Sequence, residues 1–221
     1  MPGANWGEDS PADEVLIAAN IRVVLSDLAA AAPRRDTPTL AMAQHWHRAI
    51  YKGTASAPQA SYVGAFRGSS DPGLFDYQVH LVNRAGRILS SGTPPQDVAS
   101  ELAEFERAMS AAAARLDAVI SAGARPADSG QLLAAIELAA LAHGEWVRIH
   151  PFANGNGRVA RTWANWVALR YGLPPFVRIK PRPDGLLYGQ AAHMSMGAPP
   201  ALAPDHQLTV QVFLDLLRQQ P

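Results

Sequence analysis

The feature that most constrains this chain is a break between two helical patterns. Leu132, Ile136, Ala139, Trp146 and Ile149 recur at near-helical spacing. The pattern has to stop before Pro151, because a proline pushes the preceding residue out of the helical region, so His150 sits at a helix exit. A second helix opens near Arg158, runs through Trp163, Trp166, Val167 and Leu169, and is stopped by Gly172, Pro174 and Pro175. The two tryptophans fall at helical spacing and read as core. The chain must therefore place a short, glycine-rich loop between two buried helices.

The remaining punctuation extends this helical reading. Ser10-Pro11 looks like an N-cap with proline at the first helical position, starting an alanine-rich helix over Val15 to Ala31 that Pro33 ends. Leu40 to Tyr51 reads as a second helix and Gly53 to Ser61 as a loop. Thr93-Pro94-Pro95 opens another helix reaching about Ile120, a loop spans Gly123 to Gly130, and Tyr188 to Met196 and Leu208 to Leu217 are the last helical segments. Only between Asp76 and Ser91 does the period change. There Tyr77, Val79 and Leu81 alternate with polar residues, Arg84-Ala85-Gly86 supplies a turn, and Ile88-Leu89 follow. The expectation is a mainly α, single-domain helical bundle carrying one small β-hairpin. Residues 1–9 are expected as a flexible tail and 10–36 as an N-terminal helix.

Length and charge narrow the function classes. A chain of 221 residues suits one domain with its own core. Lysine plus arginine equals aspartate plus glutamate, so no global field points to a nucleic acid or a membrane surface as partner. The absence of cysteine removes thiolate chemistry and suits a cytoplasmic location, which is the expectation here. No apolar run reaches the roughly 18 residues of a membrane span, and the first residues are polar rather than signal-like, so a soluble, non-exported chain is the expectation.

Chemistry concentrates in His150-Pro151-Phe152-Ala153-Asn154-Gly155-Asn156-Gly157-Arg158-Val159-Ala160-Arg161. Glycines on either side of Asn156, just before a helix, let backbone N–H groups converge on an anion at the positive end of the helix dipole. Arg158 and Arg161 share a face of that first turn, where each cation opposes the dipole by roughly 0.3–1 kcal/mol. A bound polyphosphate reverses that penalty. His150, with an unperturbed pKa of about 6.5, can take a proton from a hydroxyl held beside those phosphates. Taken singly, the features also fit solvated arginines, a plain turn and a histidine without a role. The segment is neither a P-loop nor a dinucleotide fingerprint, since a helix rather than a strand precedes it. His45-Trp46-His47 does not read as a metal site, because alternate helical positions point apart. His143 reads as a packing or loop-positioning residue; Lys180 and Arg182, next to Tyr188, could approach a nucleotide, but surface solvation is the preferred reading of both cations.

Together the twelve residues resemble the Fic family signature, H-x-F-x-[DE]-G-N-G-R-x-x-R, departing from it at one position. His47-Arg48, Gly64-Ala65-Phe66-Arg67, the proline-rich start Thr93-Pro94-Pro95-Gln96-Asp97-Val98, His143 and Leu173-Pro174-Pro175 are similar to further family elements, so the likeness covers Leu40 to Leu217. It implies a Fic-type helical bundle with a hairpin flap, with residues 37–221 as the catalytic domain. The implied activity is transfer of AMP from the co-substrate ATP to a Ser, Thr or Tyr hydroxyl of a target protein. In that likeness His150 is the general base and Phe152 the loop anchor. Gly155, Asn156 and Gly157 form the anion hole, Arg158 meets the β-phosphate and Arg161 the γ-phosphate. Tyr77, Gln78, Val79, His80 and Leu81 belong to the flap that clamps the target by main-chain pairing.

The departure is Asn154, where the family carries an acid that binds magnesium. An amide oxygen brings no charge, so Mg2+ is expected with weakened affinity. The same departure leaves room for a related enzyme moving another phosphate-containing group, or a non-catalytic nucleotide-binding regulator. Relatives are also held inactive by a partner or by their own [ST]-x-x-x-E-[GN] helix, whose glutamate pairs with the arginine corresponding to Arg161; Ser10 and Glu14 match that spacing, but Val15 stands where Gly or Asn is expected, and a capped helix start with acids in its first turn is the preferred reading.

Overall fold

A computed structural model describes Trp6 and residues 10–82, 87–198 and 203–220. Among the described residues there are seven α-helices and one two-stranded sheet: α1 (Pro11–Ala31), α2 (Leu40–Ile50), β1 (His80–Val82), β2 (Ile88–Ser91), α3 (Val98–Asp117), α4 (Ser129–Ile149), α5 (Asn156–Arg170), α6 (Leu186–Ser195) and α7 (Gln207–Arg218). The order is that of the sequence-level reading, with helix ends displaced by a few residues.

Helix α5 is the axis of the fold. Twelve of its residues are buried, as expected of a helix surrounded by others, and it packs on α4, α1 and α2. Trp46, Trp146, Trp163, Trp166 and Phe105 meet around it in edge-to-face and tilted pairs. Its far end is fixed by Arg170, which reaches Asp117 at 2.5 Å and the carbonyls of Arg35 and Asp36 at 3.0 and 2.9 Å. With the C-terminus of α5 held there, its N-terminus and the preceding loop have a fixed position.

Helix α1 buries Ile17, Ile21, Val24 and Leu28. Pro11 occupies the first turn as its lack of an N–H favours, while the Ser10 side chain makes no cap hydrogen bond. The expectation that no stretch is long and apolar enough to cross a membrane needs correcting. Pro11–Arg34 is 24 residues with a mean hydropathy of 1.8, sufficient by length and composition alone. Of the expected tail, Trp6 is buried against His47 and Tyr51, and its backbone N–H donates to the Tyr77 hydroxyl at 2.7 Å. The other residues of 1–9 lie outside the described residues, as does the Arg84–Gly86 turn.

The hairpin is antiparallel, pairing His80 with Ser91, Leu81 with Ser90 and Val82 with Ile88 across an irregularity. Gly92 N–H adds a bond to the Val79 carbonyl at 3.0 Å. Tyr77 is a correction to the flap reading. It precedes the strand, is buried, and bonds Trp6, because an aromatic this large gains more from the core than from an exposed ribbon.

Candidate functional site

Helix α4 ends at His150 in the left-handed region, φ 53° and ψ 53°. A non-glycine residue there is strained by about 1–2 kcal/mol, so its surroundings must hold it. The largest contribution comes from Arg67. Its guanidinium, 1% exposed, donates to the carbonyls of His150 (2.8 Å), Tyr77 (2.9 Å), Thr93 (2.9 Å) and Ile149 (3.1 Å), and its backbone N–H to Pro151 (2.8 Å). One buried cation thus ties both roots of the hairpin to the loop after α4. Burial pushes it down to about 10, with Tyr77 opposing, so it stays charged at neutral pH. Gly92 runs so close that a Cβ there would lie 2.7 Å from His150 Cβ.

The His150 ring is oriented by Nδ1, which lies 2.9 Å from the Val147 carbonyl. A carbonyl only accepts, so Nδ1 carries the proton and Nε2 keeps a lone pair. Burial pushes the imidazole down to about 4, the Val147 carbonyl opposing and Arg67 adding to the shift. At neutral pH the ring is therefore a neutral base.

The loop itself is rigid. Phe152 is fully buried and stacks on His47, ring centres 4.0 Å apart. Asn156 spends its whole side chain on Phe152: Oδ1 accepts its N–H at 2.9 Å and Nδ2 donates to its carbonyl at 2.8 Å. Of Asn156, therefore, only the backbone N–H is left for a ligand. Gly155 caps α5 at φ +76°, and a Cβ there would lie 2.6 Å from the Tyr51 ring. The N–H groups of Asn156 and Gly157, in the first turn, have no carbonyl one turn back and are the orphan donors of the helix.

Three residues outside the twelve complete this frame. His47 accepts from Gly64 N–H at Nδ1 (2.9 Å) and donates from Nε2 to the Asn154 carbonyl (3.0 Å), and burial pushes it down to about 3. Tyr51 lies under Arg158, accepting a hydrogen bond from its guanidinium. Tyr188 bridges Arg161 (3.3 Å) and the buried His143 (2.8 Å). The H-R and G-x-F-R elements flag His47 and Arg67 in the sequence, whereas nothing local marks Tyr51.

Arg161 is 8% exposed and donates Nε to the Ile179 carbonyl at 2.9 Å. That segment is itself pinned, Asn165 bonding Val177 N–H and carbonyl at 3.0 and 2.7 Å. Two cavities open here. One, of about 470 Å³, has the loop, Arg158, Lys180 and Glu14 in its walls; the other, of about 800 Å³, has Leu81 of the hairpin and Tyr188 and Met196. His150, Gly157, Arg161 and Arg182 line both. Both volumes are of small-molecule size. Lys180 and Arg182 line the smaller cavity, while Arg182 is exposed, as a solvated cation would be.

Ser10 and Glu14 also line the smaller cavity. The family-implied pairing of Glu14 with Arg161 is absent. Glu14 is exposed, and among the described residues no carboxylate lies within ion-pair distance of Arg161. A resident magnesium fits poorly. The Asn154 Oδ1 that stands in the acid's place already accepts the Gly155 N–H at 2.6 Å, and among the described residues no group of three or more His, Asp or Glu side chains is gathered that would hold a metal.

Fold and site define a helical protein in which a glycine-flanked helix N-terminus lies beside a neutral histidine. Residues 37–168 match the model of the Fic/DOC family, and the chain belongs to that family. Among curated relatives, it is 46% identical over 65 residues to the protein adenylyltransferase Fic of Nematostella vectensis, covering 28% of this chain and 15% of that protein. It is 50% identical over 42 residues to the protein adenylyltransferase fic-1 of Caenorhabditis elegans, covering 19% and 8%. The matches thus span a small part of those relatives. Among solved structures, a Fic domain containing signaling protein from Bacteroides thetaiotaomicron superposes with a TM-score of 0.66 at 21% identity, covering 96% of this chain and 72% of that one. BepC of Bartonella tribocorum, solved with bound AMPPNP, gives 0.51 at 14% identity, covering 92% and 87%. At these identities the likeness concerns the fold.

Proposed function

We propose that this chain is a protein adenylyltransferase that moves AMP from ATP to a hydroxyl side chain of a target protein. The observation that carries this reading is a neutral His150, its Nε2 lone pair unspent, lining the same two cavities as Gly157 and Arg161. The names of the relatives and the nucleotide analogue bound by BepC support it.

In this reading the smaller cavity takes the phosphates. The N–H groups of Asn156 and Gly157 and the guanidiniums of Arg158 and Arg161 hold them, so charge developing on the leaving group meets preorganised donors. The target hydroxyl oxygen attacks the α-phosphorus, the bond to the β-phosphate oxygen breaks, pyrophosphate leaves, and the hydroxyl proton passes to His150 Nε2. Gln78 to Leu81, with their open edge, pair with an extended segment of the target through main-chain bonds.

Incubation with target extract and ATP labelled at either phosphate tests this. Label from the α-phosphate on protein is expected. Label from the γ-phosphate points to phosphate transfer, and bound but untransferred ATP to the non-catalytic regulator that Asn154 suggests.

A further inference from the structure

The floor of the loop is built from aromatic rings, and one of them comes from the far N-terminus. His47 and Tyr51 pack with ring centres 4.8 Å apart. Gly155 sits on both, since a Cβ there would lie 2.6 Å from the Tyr51 ring and 3.1 Å from His47 Nε2. Where these two rings stand therefore fixes where the turn into α5 can stand. Trp6 packs against both, its ring centre 4.7 Å from Tyr51 and 5.8 Å from His47. All three side chains are buried. In an interior packed this closely, a ring of that size cannot be removed without its neighbours shifting into the space.

Each ring that Trp6 touches has a second task at the site. Tyr51 lies under the Arg158 guanidinium and accepts a hydrogen bond from it. His47 donates from Nε2 to the Asn154 carbonyl at 3.0 Å and stacks on Phe152. Trp6 thus stands one ring away from the arginine and one ring away from the loop. Its main chain is held by a separate bond: the N–H donates to the Tyr77 hydroxyl, and the Tyr77 carbonyl accepts from Arg67, which also holds the His150 carbonyl. Shortening the indole leaves that backbone bond in place, so the effect on the rings can be read separately.

Resting on the nucleotide reading above, we propose that Trp6 is a positioning residue for ATP: wedged against Tyr51 and His47, it fixes the floor on which the Gly155 turn and the Arg158 guanidinium stand. With Trp6 cut back, the Tyr51 ring gains room to move and the platform under Arg158 loosens. An incoming polyphosphate must then order side chains that the wild-type protein holds in advance, and affinity falls.

Calorimetric titration of ATP into the full chain tests the proposal. Trp6→Ala is expected to weaken binding about tenfold, and Trp6→Phe, which restores an aromatic wedge, to keep it within about threefold of wild type. Leu28→Ala, a core truncation in the last turn of α1, is the control: it should lower the urea midpoint and bind ATP as wild type does. Should Trp6→Ala fail to fold, Trp6→Leu, which fills much of the volume without an aromatic face, is expected to show the weakening. Wild-type affinity in the alanine or leucine variant, or an equal loss in Leu28→Ala, overturns this inference and leaves the nucleotide reading standing. Absence of ATP binding by the wild-type chain overturns the nucleotide reading and this inference with it.

Discussion

Arg67 donates its Nε to the carbonyl of His150 at 2.8 Å across 83 positions of sequence. The same guanidinium holds Tyr77 and Thr93, so the hairpin roots and the histidine move as one body. Arg67→Ala leaves several buried carbonyls without a donor and should cost roughly 3 kcal/mol or more. Urea unfolding checks this, and a loss under about 1 kcal/mol would show that the carbonyls find other partners.

Gly155 is needed for two reasons, its positive φ and the Tyr51 ring 2.6 Å from any added Cβ. Gly155→Ala should lower stability by about 2–4 kcal/mol and weaken ATP binding, because relief of the clash tilts the first turn of α5. Thermal unfolding paired with titration of ATP reads both effects; wild-type values in both would remove Gly155 from the cradle.

His47 and His143 are pushed by burial to about 3, against 6.5 for the free side chain. Between those values the unfolded chain binds more protons than the folded one, so stability rises with pH there. It is complete above about pH 6.5 and is lost as pH falls toward 3. The loss from pH 7 to pH 5 is on the order of 2 kcal/mol per histidine. Urea midpoints at the two values measure it, and His47→Gln should flatten the dependence.

Helical order was legible because its signals are local: Pro11, Pro94 and Pro95 at helix starts, Pro151 after α4, Gly155 and Gly157 before α5. The Arg67 clamp, the Trp6 contact with Tyr77 and the Tyr51 floor under Arg158 were not, since each joins residues more than 70 positions apart. Composition marks an aromatic such as Tyr77 as strand-like without saying that it is needed in the core. Likewise nothing local shows that Asn165 and Arg161 hold the segment before Lys180 against α5, which brings Lys180 and Arg182 to the wall of the smaller cavity.

Glu14 shares the smaller cavity with Arg158 and Arg161 and, among the described residues, forms an ion pair with neither. Its carboxylate opposes an incoming polyanion, so Glu14→Gly should raise automodification several-fold. Unchanged incorporation would leave α1 a packing element without a part in inhibition.

The central claim is that His150 is the base and the cradle the phosphate holder, two separable jobs. Titration of ATP and transfer of its α-label should therefore be measured together on His150→Ala. The account predicts ATP affinity close to wild type with transfer abolished; transfer retained at the wild-type rate would contradict it.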